Sequence, residues 1–240
     1  MFTNLCCKNK IYKNLYNGHW IESNSNKLIE IFSPVDGSLL GKVQAMTTEE
    51  VDMAIKNTKE AFISWKETSL SDRTEILYKA ADLLDENSEE MATLMMMEIS
   101  KDKKSCVSEV VRTADLLRFT ADTAKTMQGE SLVGDSFPGG SKSKMSFVSR
   151  EPLGTVLAIA PFNYPVNLSA SKIGPAIVAG NTVVLKPPTQ GSLSALYLAE
   201  IFNKAGLPAG VLNTVTGRGS EIGDYLATHP GINFINFTGS

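Results

Sequence analysis

From residue 153 onward the chain repeats one pattern. Short, continuous apolar runs, "LGTVLAIA", "TVVLK", "GVLNTVTG" and "INFINF", alternate with helical stretches, "SASKIGPAIVAGN", "SLSALYLAEIFNKAGLP" and "SEIGDYLATHP". An apolar run of that length with no polar alternation reads as a strand buried on both faces. Strands that alternate with helices join through right-handed crossovers and lie parallel. Residues 151–240 are therefore predicted to form a doubly wound α/β unit. Ligands of such sheets bind beyond the carboxyl ends of the strands. Three segments leave those ends, "APFNYPVN", "KPPTQG" and "TGRGSEIG", and all three carry polar groups with glycine or proline. A nucleotide site is the expectation from this pattern.

Residues 1–150 have another texture. Asn17-Gly18 within "NLYNGHWIE" supplies the two positive-φ positions of a hairpin turn, and "KLIEIFSP" followed by "SPVDGSLL" reads as a strand and a turn. Thr47 and Glu50 form a T-x-x-E capping box. The helix it opens carries Val51, Ala54, Ile55, Ala61, Phe62 and Trp65 on one face. "SDRTEILYKAADLLDENS" is a second helix. Ser88 is the predicted cap of a third, with Met91, Leu94, Met95 and Ile99; methionines at this spacing belong to a core. Residues 104–127 form a longer helix with Val107, Val110, Val111, Ala114 and Leu117 inward. Past Gly139-Gly140, the alternation of Met145, Phe147 and Val148 with polar residues predicts an exposed strand or hairpin.

Composition removes several classes of function. With 23 basic and 26 acidic side chains the net charge is −3, so nothing draws the chain as a whole to nucleic acid or an anionic membrane. No run of eighteen apolar residues predicts a membrane span, and "MFTNLCCKNKIY" lacks the pattern of a secretory signal. Cys6, Cys7 and Cys106 are an odd set without framework spacing, which predicts reduced thiols and a cytoplasmic setting. Adjacent Cys6 and Cys7 have no second pair to complete a zinc site, and no metal is expected.

The candidate site residues have two readings each from the residues alone. Gly217-x-Gly219-x-x-x-Gly223 is one residue longer than the dinucleotide fingerprint; it is either a phosphate loop or a glycine-rich turn that opens a helix. Asn163, two residues before Pro165, is favoured as a helix cap, with donation to a developing oxyanion as the alternative. Lys186, at the mouth of a buried strand, either snorkels to water or meets a phosphate or ribose. Glu221 and Asp224 read as a solvated helix face.

The longer motifs resemble one family. "PFNYPVNLSASKIGPAIVAGNTVVLKPPTQ" is similar to the signature stretch of the NAD(P)-dependent aldehyde dehydrogenase superfamily, with matching spacing throughout; "GLPAGVLNTVTGRG" and "FTGS" match its later motifs, and the resemblance covers essentially the whole chain. Within it, "SEVVRTAD", "SPVDG", "KPPTQGS" and "GRGSEIGDY" resemble the non-phosphorylating, NADP-dependent glyceraldehyde-3-phosphate dehydrogenases. The resemblance implies a Rossmann-like parallel sheet of the aldehyde dehydrogenase type over 151–240, the first part of the dinucleotide-binding domain. It implies a mainly helical region over 1–150 with a hairpin and an oligomerisation-type strand, and hence a homo-oligomer. It implies that Asn163 is the oxyanion-hole amide and that Arg112 and Tyr164 bind the substrate, Arg112 through its phosphate. Lys186 and Thr189 would hold the adenosine ribose and its 2′-phosphate, Ala160 and Pro161 would offer backbone contacts, Gly219 and Asp224 would lie near the adenine, and Gly239 and Ser240 would begin the loop under the pyrophosphate. Lys172 matches a family lysine near the inner pocket.

Relatives that prefer NAD read K-P-A-E, with the glutamate on the ribose hydroxyls, where this chain has Thr189. A carboxylate there would repel a 2′-phosphate and a hydroxyl can donate to it, so the stretch implies NADP, with NAD as the lesser possibility. The family's catalytic cysteine and its water-activating glutamate lie beyond "FTGS". The expectation is an incomplete fold, the front part of an enzyme that oxidises glyceraldehyde 3-phosphate to 3-phosphoglycerate through a cysteine thioester, with the 240-residue chain inactive by itself. The alternatives are another NAD(P)-dependent aldehyde or semialdehyde dehydrogenase, and a short, non-catalytic nucleotide-binding protein.

Overall fold

The computed structural model describes residues 5–6 and 9–239; Cys7 and Ser240 lie outside them. The front of the chain starts with β1 (Ile11–Tyr12), β2 (Asn14–Tyr16), β3 (His19–Ile21), β4 (Leu28–Phe32) and β5 (Leu39–Gln44). β2 and β3 are the expected hairpin, with Asn17 at φ 50° and Gly18 at φ 77°. β4 and β5 pair antiparallel, and β1 adds to β5 in parallel, which gives a three-stranded sheet that the sequence did not reveal.

Four helices follow: α1 (Thr48–Trp65), α2 (Leu70–Glu86), α3 (Ser88–Ile99) and α4 (Lys103–Thr126). The capping box is complete: Glu50 N–H donates to Thr47 Oγ1 at 3.3 Å and Thr47 N–H to Glu50 Oε2 at 2.9 Å. α2 begins earlier than expected, because Ser69 caps it by accepting from Asp72 N–H. Ser88 does not cap α3; it is the first helical residue, and Asn87 holds the cap position while its amide donates to Leu83 O at the end of α2. Met91 and Met95 are fully buried, as are Val110, Ala114 and Leu117, whereas Val111 faces outward at 39% exposure. A 3.6-residue period lets Val107, Val110, Ala114 and Leu117 share a stripe, and Val111 falls off it. β6 (Glu130–Val133) and β7 (Met145–Val148) then form a two-stranded antiparallel ribbon, with Phe147 79% exposed.

The rest is β8 (Thr155–Ile159), α5 (Asn167–Val178), β9 (Thr182–Lys186), α6 (Ser192–Lys204), β10 (Leu212–Thr214), α7 (Gly219–Thr228) and β11 (Phe234–Phe237). The four strands are parallel in the order β10-β9-β8-β11. Successive side chains point to opposite faces. Val156, Ala158, Val183 and Leu185 join the larger core with α2, α5 and α6, while Leu157 and Val184 pack with Val51, Ala54 and Ile55 of α1 and Ile222 and Leu226 of α7. Helices thus cover both faces, and the order reverses between β8 and β11, the topological switch point of a doubly wound sheet.

Local chemistry explains the motif "AGN". Gly180 takes φ +88°, a left-handed position that ends α5, and Asn181 turns its amide oxygen back to accept from Leu153 N–H (2.6 Å) and Gly154 N–H (3.0 Å), which stitches the start of β8 to that of β9.

Candidate active site

The loops at the carboxyl ends of the strands converge. After β8, residues 160–166 cross the top of the sheet, with Ala160 buried and Phe162, Asn163 and Tyr164 exposed. After β9 comes "PPTQG", where Gly191 is left-handed at φ +93°. A Cβ on Gly191 would lie 3.2 Å from Pro165 Cβ and 3.5 Å from Phe162 Cα, so the two loops touch. From β11, Thr238 Oγ1 accepts from Lys172 Nζ of α5 at 2.7 Å.

Two buried ammonium groups stand here with few partners. Lys186 has 5% of its surface exposed, and its only hydrogen bond among the described residues is to Pro187 O at 3.2 Å. It does not snorkel. A lysine ammonium has three donors, so two are unused among the described residues, and burial pulls its pKa below the ordinary lysine value. Lys172 is 3% exposed, bonds only Thr238 among the described residues, and is shifted down by burial as well. Thr189 is half-buried; its carbonyl accepts from Ser192 Oγ at 2.8 Å, and its hydroxyl has no hydrogen bond among the described residues.

Asn163 is not a helix cap. α5 starts at Asn167, and Val166, at its cap position, makes no side-chain cap bond. The acceptor comes from the helical layer instead: Glu109 Oε1 of α4 accepts from the N–H groups of Val166 and Asn167, each at 3.1 Å. Glu98 of α3 does the same for α6, accepting from Leu193 N–H at 2.7 Å and from Ser194 N–H and Oγ at 2.9 and 2.5 Å. Burial raises the Glu98 pKa while these donors oppose the rise. The two carboxylates occupy the starts of α5 and α6, where helices otherwise attract anions. At α7, Arg218 holds the cap position without a side-chain cap bond. Sequence reasoning did not find these roles of Glu98 and Glu109, since neither carries a local signal; the partners lie 95 and 57 residues away.

Arg112 and Tyr164 line one shallow cleft with Glu109, Asn167 and Leu168. The local ion pairs open to Arg112 do not form, because Glu109 is bound to Lys101 at 2.6 Å and Asp115 faces Arg118. The guanidinium is exposed, with no ion pair among the described residues. The glycine run opens α7: a Cβ on Gly217 would meet the end of the Ile222 side chain, Cδ1, at 2.6 Å, while Gly219 has open space around it. Asp224, Glu221 and Gly239 are exposed. Cys106 is buried, with its pKa pushed up to about 11, and burial raises Cys6 too, so neither is an activated thiol. No group of residues suited to a metal ion occurs among the described residues.

Comparison with known proteins gives these features a family. The model of the aldehyde dehydrogenase family matches residues 20–240. The chain belongs to the aldehyde dehydrogenase family. It is 52% identical to an NADP-dependent glyceraldehyde-3-phosphate dehydrogenase of Streptococcus equinus over 96% of this chain and 48% of that protein. A wheat (Triticum aestivum) relative of the same name is 49% identical over 96% and 47%. Among solved structures, the NADP-dependent glyceraldehyde-3-phosphate dehydrogenase of Bacillus halodurans C-125, complexed with NADP, superposes with a TM-score of 0.93 at 52% identity, covering 95% of this chain and 48% of that one. The chain spans about half the length of the relatives it matches, and its sheet and helices are the aldehyde dehydrogenase fold over that half. No described helix is long and apolar enough to cross a membrane.

Proposed function

We propose that this chain forms the cofactor cleft and part of the substrate pocket of an NADP-dependent aldehyde dehydrogenase that oxidises glyceraldehyde 3-phosphate to 3-phosphoglycerate through a cysteine thioester. The observation that carries the cofactor assignment is the buried, under-bonded Lys186 ammonium followed by Thr189. A buried cation without a counter-charge is costly, and an anion offsets that cost. Thr189 adds a free hydroxyl where NAD-preferring relatives have a carboxylate. When bound, NADP supplies the hydride acceptor. Lys186 and Thr189 would hold the 2′-phosphate end, the backbone of Ala160 and Pro161 would contact the cofactor, Gly219 and Asp224 would lie near the adenine, and Gly239 and Ser240 would begin the loop under the pyrophosphate.

On the substrate side, Arg112 offers a planar, bidentate fork to the phosphate, and Tyr164 lines the same cleft. The Asn163 side chain makes no hydrogen bond among the described residues, and its amide is free to donate to the aldehyde oxygen as it becomes anionic. Residues 1–150 form the helical region, with the exposed β6–β7 ribbon as the arm of a homo-oligomer, and 151–240 the cofactor unit. The odd cysteine set supports a cytoplasmic setting. The test is an enzyme of full family length carrying this sequence, assayed with glyceraldehyde 3-phosphate and with unphosphorylated glyceraldehyde, each with NADP and NAD. A clear preference for the phosphorylated aldehyde and for NADP is expected. Equal kcat/KM for the two aldehydes would refute the substrate, and equal values for the two cofactors would refute NADP.

A further inference from the structure

We infer that Lys101 and Glu109 are positioning residues that hold the Asn163–Tyr164 loop in the shape the reaction needs; this rests on the reading of Asn163 as the oxyanion donor. The loop between β8 and α5 has little of its own to fix it. Its first helical hydrogen bond is Leu168 N–H to Tyr164 O at 3.0 Å, and the side chains of Asn163 and Tyr164 are exposed. The fixing groups come from another part of the chain. Glu109 Oε1 accepts from Val166 and Asn167 N–H, and Asn167 Nδ2 donates to Thr113 Oγ1, one turn further along α4, at 3.1 Å.

The other carboxylate oxygen of Glu109 takes Lys101 Nζ at 2.6 Å, with the two side chains 0% and 17% exposed. The same ammonium reaches Asn163 O at 3.5 Å and stands 3.5 Å from the centroid of the Tyr164 ring. One cation thus touches the backbone of Asn163, the face of Tyr164 and the carboxylate that caps α5. Lys101 is itself held in a tight turn: Ser100 ends α3 in the left-handed region at φ 56°, and Asp102 caps α4. The position of the loop is therefore set by the α3–α4 corner. A cation over a tyrosine face attracts it, and a donor to an oxyanion helps only where it is already placed.

The experiment is a double-variant cycle in the full-length holoenzyme with glyceraldehyde 3-phosphate and NADP. Deleting an oxyanion donor costs about 10²–10³ in kcat; loosening it through Lys101→Met should cost roughly tenfold. NADP affinity should stay within about twofold, because the cofactor lysine lies on β9, and Lys101→Arg, which keeps the charge and stacks on the ring, should recover most of kcat. In an Asn163→Ala background, Lys101→Met should change kcat by less than about twofold, the non-additivity expected of residues acting through one another. Glu109→Gln serves if Lys101→Met does not fold: its carbonyl oxygen can still accept from Val166 and Asn167 while its NH2 group repels Lys101. An equal fall in kcat from Lys101→Met in both backgrounds, or a parallel loss of NADP affinity, overturns the inference while leaving the proposed function intact. An unaltered kcat in Asn163→Ala alone removes the oxyanion assignment, and the inference falls with it.

Discussion

Placing a carboxylate at residue 189 should turn the cofactor preference around. In Thr189→Glu the new charge would stand beside a 2′-phosphate and share its neighbourhood with Lys186. Two unit charges about 4 Å apart at an effective dielectric of 20 repel by about 4 kcal/mol. Thr189 is half-buried, so solvent screens part of this, and about 1–2 kcal/mol remains. That is a loss of roughly 5- to 30-fold in NADP affinity. NAD has no phosphate there, and its ribose hydroxyls can donate to the glutamate, so NAD affinity should hold or rise. The added carboxylate would also compete for the Lys186 ammonium, which among the described residues bonds only the Pro187 carbonyl. Titration of the full-length variant with each dinucleotide, followed by protein fluorescence at low and high salt, gives the ratio of the two dissociation constants. The shift should shrink as salt rises, since a partly exposed repulsion is screened. If the ratio is the same in Thr189→Glu as in the parent protein, the 2′-phosphate does not sit at this position and the reasoning from Lys186 and Thr189 fails.

Four further outcomes follow from the same geometry. Arg112→Ala should raise KM for glyceraldehyde 3-phosphate by about 1.5–3 kcal/mol, roughly 10- to 150-fold, and leave the unphosphorylated aldehyde nearly unaffected; steady-state kinetics on the two substrates reads the difference. The lowered pKa of Lys186 means that its ammonium is lost as pH rises toward, but below, the usual lysine range, so KM for NADP should climb on that alkaline limb while KM for NAD does not, and a Lys186→Gln profile should lack the limb. Glu98→Ala strands the N–H groups of Leu193 and Ser194 and the Ser194 hydroxyl in a buried site, which at about 1–3 kcal/mol for a stranded group should cost about 3 kcal/mol or more in urea unfolding. The 240-residue chain by itself should show no aldehyde oxidation with NADP, since Cys106 is buried with a pKa near 11; turnover that disappears in Cys106→Ser would overturn that.

The parallel sheet was legible because each of its strands is a local signal: "TVVLK" is apolar throughout, and Gly180-Asn181 marks where the preceding helix stops. The hairpin at Asn17-Gly18 and the box at Thr47 were legible for the same reason. The errors fall where the deciding partner is remote. Asn163 looked like a cap because Pro165 follows it, yet the carboxylate serving α5 comes from Glu109 on another helix. Lys186 read alone is a snorkelling lysine; its burial depends on the loops and helices folded over the strand end. β1 was invisible because two residues joining a sheet through β5 leave no period to detect. Of the site residues drawn from the resemblance, Lys186 ends β9 and Ala160, Gly219 and Gly239 follow β8, β10 and β11, but the salt bridge of Lys101 with Glu109 has no signature in "ISKDK".

The polar joint between the first hairpin and the last part of the sheet sets a timetable for folding. Asn14 Nδ2 donates to Thr216 Oγ1, Leu15 N–H to Thr214 Oγ1 and Asn17 N–H to Asn213 Oδ1, at sequence separations of 202, 199 and 196 residues. Closing such distant contacts is slow, and structures rich in them fold late. During synthesis at roughly 5–20 residues per second, the hairpin waits about 10–40 s before residue 216 exists. Trp20 waits nearly as long, since its Nε1 donates to Glu200 Oε2 at 2.5 Å across 180 residues, whereas Trp65 Nε1 donates to Ile177 O at 3.2 Å across 112 residues, about 6–22 s at the same rate. Indole emission should therefore record the docking of the first hairpin on α6 and of α1 on α5, well after the helices between have formed.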